Sequence, residues 1–213
     1  MRGMVLSVMP IGEYDRRLEI LTDSLGRISA FARGARKPSS SLVSASRVFA
    51  FGEFDIYEGR NSYNVNAARI SNYFEELAKD VVLTYYGFYF LEFTSFFTRE
   101  GLDASGTLKL LYQSLRALSV PSLNNRMVRS VFELKLLELN GICPPVSDLQ
   151  ARNQLDPSTV YAVDFVKRMP VEKLYTFTLS EPVMKEFNDL TDSLVRRSVD
   201  KTFKSLKILE DLS

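Results

Sequence analysis

The chain has 213 residues, 46% of them hydrophobic, with 27 Lys and Arg against 26 Asp and Glu for a net charge of +1. This composition fits one large globular domain or two modest ones and lies far from that of a disordered chain. With no histidine and a single cysteine, Cys143, an intramolecular disulfide, a Cys/His zinc site and any imidazole-based triad are excluded.

The first seventy or so residues alternate with a period of two. Met4, Leu6 and Val8 alternate with Val5, Ser7 and Met9; Leu18 and Ile20 with Arg17 and Glu19; Ile28 and Ala30 with Ser29 and Phe31. Such alternation predicts half-buried strands. TDSLGR (22–27) supplies a tight turn between the second and third. A fourth strand is expected over 47–59, ending at EGRN, and a fifth over 62–70. Five short strands predict a small closed barrel, because closure removes exposed edges. Between the third and fourth lies FARGARKPSSSLVSASRVF (31–49), which places Arg33, Arg36 and Lys37 beside a glycine and a proline. The loop is either an ordinary solvated connection or a grip on something negative. Residues 1–50 hold eight Lys and Arg against four acids, a local +4 that suggests one face meeting an anionic partner.

Beyond residue 71 the period changes. VVLTYYGFYFLEFTSFF (81–97) contains Glu92 and several hydroxyls and reads as a buried helix rather than a membrane span. Leu108, Leu111, Tyr112, Leu115 and Leu118 form a helical stripe, as do Val128, Phe132, Leu136 and Leu139, and Val183, Phe187, Leu190 and Leu194. Breakers fall at 101–106, 120–125 and 141–148. The expected class is α+β: an all-β domain over 1–72, then an all-α domain over 73–213 with an irregular segment at about 141–162. The N-terminus lacks an apolar stretch of signal-peptide length, so a cytoplasmic address is expected.

Groups for turnover are not apparent. GARKPSSS lacks the spacing of a phosphate loop, Glu75 and Glu76 adjoin and do not face one another on a helix, and Cys143 has no histidine to activate it. The chain is therefore expected to be a binding module rather than an enzyme. On a barrel, cations track phosphates while Phe31, Phe49, Phe51 or Tyr57 stack on bases, unless those rings are packed in a core.

The run MVLSVMPIGEYDRRLEILTDSLGRISAFARGARKPSSSLVSASRVFAFGEFDIYEGR closely resembles the N-terminal domain of RecO, the bacterial recombination-mediator family. The matching elements are PIGEYDR (10–16), LTDSLGR (21–27), ARGARK (32–37) and the strand FGEFDIYEG (51–59). FELKLLELNGICP (132–144) and FKSLKILEDL (203–212) resemble later family segments. The resemblance implies an OB-fold followed by a helical domain. It also implies a nucleoid-associated protein that binds single- and double-stranded DNA, anneals complementary strands and, with RecR, helps load RecA onto DNA coated by single-stranded-DNA-binding protein. Many family members carry a four-cysteine zinc site after the glycine segment. Here only Cys143 is present, so no zinc and no other cofactor are expected, and Pro144, Pro145, Leu149 and packing must order that loop.

On this reading Arg16, Arg17, Arg27, Arg33, Arg36, Lys37 and Arg47 line one barrel face and hold phosphates. The acidic-hydrophobic tail of single-stranded-DNA-binding protein needs an apolar slot flanked by cations, for which Arg126, Arg129, Phe132, Leu136 and Lys185 are the candidates, unless Phe132 and Leu136 are instead core of the helical bundle. Two rivals remain at this level: an RNA-binding OB module and a protein-interaction adaptor.

Overall fold

In the computed structural model, which describes residues 1–60 and 62–212, five strands come first: β1 (Arg2–Ile11), β2 (Asp15–Thr22), β3 (Gly26–Ala32), β4 (Phe51–Glu58) and β5 (Tyr63–Asn72), with the short helix α1 (Leu42–Ala45) between β3 and β4. They close into a barrel in the order β1-β2-β3-β5-β4, an OB-like arrangement. β3 and β5 pair in parallel through Ala30↔Tyr63 and Phe31↔Asn64. β1 and β4 complete the closure antiparallel, with Met4 opposite Phe51. Alternation decides what fills the barrel: Val5, Leu18, Ile20, Ile28, Ala30, Ala32, Phe54 and Val65 turn inward and are buried. The fourth strand begins at Phe51 rather than at residue 47, because Arg47–Ala50 form the turn that leaves α1. Asn61, in the EGRN turn expected before β5, lies outside the described residues.

The helices that follow are α2 (Val81–Phe97), α3 (Ser105–Leu118), α4 (Asn125–Leu139), α5 (Val146–Asn153), α6 (Pro157–Arg168), α7 (Glu181–Ser198) and α8 (Lys204–Asp211). α5 and α6 correct the expected irregular stretch at about 141–162. At the start of α6 the Asp156 side chain accepts from the Ser158 amide and Pro157 occupies the first turn, a start built from local sequence. Its buried residues Thr159, Ala162, Val163 and Val166 have the spacing of one helical face.

The chain divides into two compact units, Met1–Ala78 with Leu91–Leu108, and Lys79–Phe90 with Lys109–Ser213. In the first, the β2–β3 turn docks on residues 98–104. The Arg27 amide donates to the Arg99 carbonyl (3.2 Å), and the Gly101 amide to the Leu25 carbonyl (2.9 Å). Gly26 makes this possible: its φ is +67°, and a Cβ there would lie 2.1 Å from the Arg99 carbonyl oxygen. In the second unit α4 is buried over Met127–Leu137 and packs on α6 and α7.

Candidate nucleic-acid interface

The β1–β2 turn and the β3–α1 loop are latched to each other. Asp15 Oδ1 accepts from the Gly34 amide at 2.7 Å. The Arg36 amide donates to the Tyr14 carbonyl at 2.9 Å, and its guanidinium donates to the Gly12 carbonyl at 3.1 Å. The Lys37 ammonium sits over the Tyr14 ring, 5.1 Å from its centroid. Gly12 and Gly34 both have positive φ, +54° and +65°, which lets each loop turn tightly enough to meet the other. A hydrogen bond to Glu13, then burial, holds the Tyr14 hydroxyl above its ordinary pKa of 10.0, so it stays neutral at physiological pH. Arg33, Arg36 and Lys37 are all exposed.

A row of register-paired residues crosses the barrel beside this latch. The register places Met9 opposite Arg17, Arg17 opposite Phe31, Phe31 opposite Asn64 and Asn64 opposite Tyr57. Neighbouring strands lie about 4.8 Å apart, so this is a continuous line of cation, rings and amide. Met9 is 49% exposed, Tyr14 45% and Tyr57 52%. Apolar groups this open, interleaved with Arg17 and Arg33, are the chemistry of a strand-binding platform. Asn64 is buried, and its Oδ1 accepts a long hydrogen bond, 3.4 Å, from Arg33 Nε. Met9, Tyr14 and Asn64 are not among the residues expected from the sequence. Met9 was legible, since it alternates with the half-buried Val8 on an otherwise well-patterned strand.

Two of the seven expected cations, Arg16 and Arg27, are half-buried and tied down within the first unit, unlike the exposed Arg17, Arg33, Arg36, Lys37 and Arg47. Arg16 shares the inward parity of Leu18 and Ile20, and its guanidinium donates to the Ser46 carbonyl (2.9 Å) and hydroxyl (2.8 Å) and to the Val43 carbonyl (3.3 Å), closing the C-terminal end of α1. Arg27 pairs with Glu19 at 2.8 Å and donates to the Thr98 carbonyl at 3.3 Å. Arg17 is exposed, with one contact to the Met9 sulfur at 3.7 Å. Arg47 is exposed over the Tyr73 ring, 5.4 Å from its centroid. Of the four rings, Tyr57 is exposed and Phe31 half-buried on the row, while Phe49 (φ +71°) and Phe51 are half-buried around the start of β4.

The slot expected on α4 is not formed. Phe132 and Leu136 are both 0% exposed, and Phe132 stacks on Phe90 with centroids 4.2 Å apart. Arg129 points into the second unit, where it donates to Glu133 Oε1 at 2.8 Å and to Asp192 Oδ1 at 3.1 Å. Burial works against its charge, but Glu133, Tyr89 and Asp192 more than offset this and hold its pKa above the ordinary value. Arg126 completes the cluster with Asp192 at 2.6 Å. Lys185, on α7, is exposed. The helical stripe that suggested Phe132 and Leu136 is a core stripe, because α4 is covered on nearly every side.

A four-cysteine metal site does not fit this chain, which has one cysteine and no histidine. Among the described residues, no cluster of three or more acidic or cysteine side chains is placed to hold a metal ion. The Cys143 segment is instead clamped by Lys167, whose ammonium donates to the carbonyls of Pro144 (2.8 Å) and Cys143 (3.4 Å) and pairs with Glu138 at 2.7 Å. Burial raises the Cys143 thiol above its ordinary pKa, which keeps it protonated and poorly nucleophilic.

Residues 1–74 match the family model described as Recombination protein O N terminal, and residues 78–207 that described as Recombination protein O C terminal. The chain belongs to the RecO family. Proteins named DNA repair protein RecO include one from Acetivibrio thermocellus, 23% identical over 99% of this chain and 95% of its own length. Another, from Alkaliphilus metalliredigens, is 33% identical over 67% of this chain and 58% of its own. A third, from Bacillus cereus, is 28% identical over 67% of this chain and 57% of its own. The family resemblance seen in PIGEYDR, LTDSLGR and ARGARK is thereby established, and with it a place in DNA repair. Among the described residues no helix is long and apolar enough to cross a membrane.

Proposed function

We propose that this RecO-family chain is a recombination mediator acting in the bacterial cytoplasm, at the nucleoid. It binds single- and double-stranded DNA, anneals complementary strands and, with RecR, helps load RecA onto DNA coated by single-stranded-DNA-binding protein. It works by binding rather than turnover and uses no cofactor. One observation carries the reading: Arg17, Arg33, Arg36 and Lys37 are exposed on the barrel that also exposes Met9, Tyr14 and Tyr57. Cations neutralise phosphates without reading sequence, while rings accept unpaired bases of any identity. Neutralising two strands at once lowers their mutual repulsion, which annealing requires.

The test is DNA affinity against salt for the variant R17A/R33A/R36A/K37A. Each phosphate contact contributes about 0.7 to the salt slope on single strands, so four contacts predict a slope reduced by about 3. Unchanged affinity and slope would overturn the assignment. Competition between RNA and DNA strands of one sequence separates this reading from an RNA-binding module.

A further inference from the structure

The second unit carries a second concentration of positive charge. Arg196, Arg197, Lys201, Lys204 and Lys207 lie within twelve residues that hold one acid, Asp200, for a local +4. All five are exposed. None forms an ion pair among the described residues, although Lys109, Arg126, Arg129, Lys167 and Arg168 of the same unit all do.

Local helix physics accounts for only part of this. Arg196 and Arg197 occupy the last turn of α7, where a cation favours the helix dipole. Lys201 and Lys204 stand at the opposite kind of end. α8 begins at Lys204 with Phe203 as its N-cap, without a side-chain cap and without an acid in its first turn. Cations there work against the dipole, so their presence does not serve the stability of α8. The helix is nonetheless fixed in place. Phe203, Ser205 and Leu209 are buried, and the Phe203 ring meets Tyr89 edge-on at 5.6 Å. With that face pinned, Lys204 and Lys207 project from the other side, and Lys201 is held over the Phe203 ring, 5.6 Å from its centroid.

We propose that residues 196–207 form a second phosphate-binding surface, which takes the backbone of a DNA strand or duplex independently of the barrel. The proposal rests on the reading of this chain as a DNA-binding mediator. It gives the chain one such surface in each unit, enough to engage two strands at once. A polyanion of regular charge spacing suits five separated cations, and counterion release supplies the affinity.

The experiment compares the full-length wild type, K201A/K204A/K207A and R17A/R33A/R36A/K37A. The probes are a fluorescent oligothymidylate, a mixed-sequence duplex and a glutamate-rich peptide; circular dichroism checks that each variant is folded. Loss of three contacts predicts a single-strand salt slope lower by about 2 and slower annealing for the lysine variant. Wild-type affinity, slope and annealing in that variant would overturn the proposal and leave the barrel reading standing. If the barrel variant keeps wild-type binding while the lysine variant loses it, the barrel reading fails and this one holds. Loss of peptide binding with DNA binding intact would instead assign the surface to an acidic protein and overturn it as a DNA contact.

Discussion

The guanidinium of Arg36 donates to the carbonyl oxygen of Gly12, 3.1 Å away, across the gap between two loops that are far apart in sequence. A cation proposed to meet DNA is thus positioned by backbone geometry rather than left to move freely. Asp15, which accepts from the Gly34 amide at 2.7 Å, holds the other side of the same latch.

This gives a prediction in which charge and geometry oppose one another. Asp15→Ala removes a negative charge beside the cations, and simple electrostatics would tighten DNA binding. If the latch orients Arg36 and Lys37, affinity instead falls several-fold, where tenfold corresponds to about 1.4 kcal/mol. Amide exchange at Gly34 should accelerate in the same variant. Tighter binding with unaltered exchange would show that the latch is not needed.

Two glycines with positive φ should respond very differently to alanine. At Gly12 a Cβ meets nothing within 4 Å, so only the left-handed backbone opposes it, at about 1–2 kcal/mol. At Gly26 the Cβ would sit 2.1 Å from the Arg99 carbonyl oxygen. Gly26→Ala should therefore cost about 3–5 kcal/mol or prevent folding of the first unit. Thermal denaturation of the two variants side by side measures the difference, and equal losses would contradict it.

The cluster on α4 should be sensitive to breaking one partner. Glu133 is fully buried, with Oε1 accepting from Arg129 at 2.8 Å and from the Tyr89 hydroxyl at 2.5 Å. Arg129→Met strands this carboxylate, a loss of about 3–5 kcal/mol. Tyr89→Phe removes one hydrogen bond and should cost about 1–3 kcal/mol. Denaturant titration orders the two; a larger loss for Tyr89→Phe would refute the assignment of Arg129 as the main partner.

Alkaline pH should destabilise the second unit through its tyrosines. Burial first, and for Tyr89 the Glu133 charge next, raise Tyr86, Tyr89 and Tyr175 above the ordinary 10.0. An acid whose folded pKa is raised favours the folded state fully below its unfolded pKa. That contribution is lost as pH rises above 10.0. Stability should be flat in these groups through neutral pH and decline above that value. Tyr89→Phe should show a shallower decline, and an unchanged alkaline limb would argue against the effect.

Lys167 should stand in for any metal in ordering residues 141–155. Lys167→Met removes its contacts to Glu138, Pro144 and Cys143 and should speed proteolysis within that segment. Metal analysis should find no stoichiometric zinc, and a chelator should leave the melting temperature of the wild type unchanged. A chelator-induced fall would overturn this account.

Much of this protein is written directly in its residue order. The alternation of Leu18 and Ile20 with Arg17 and Glu19 specifies strands and their inward face, because successive side chains on a strand point to opposite sides. Arg16 shares the parity of Leu18 and Ile20, a signal that its assignment to the phosphate-holding face overlooked. The start of α6 was legible in Asp156 and Pro157, where a cap and a first-turn proline sit together. Tertiary structure alone decided which charges are exposed. Arg16 and Arg36 are both arginines near turns, yet one closes α1 and the other lies exposed beside Tyr14, because the partners come from segments distant in the chain. It also decided that Phe132 is core. A helical stripe records that a face is apolar, and only the packing of neighbouring helices determines whether that face is covered.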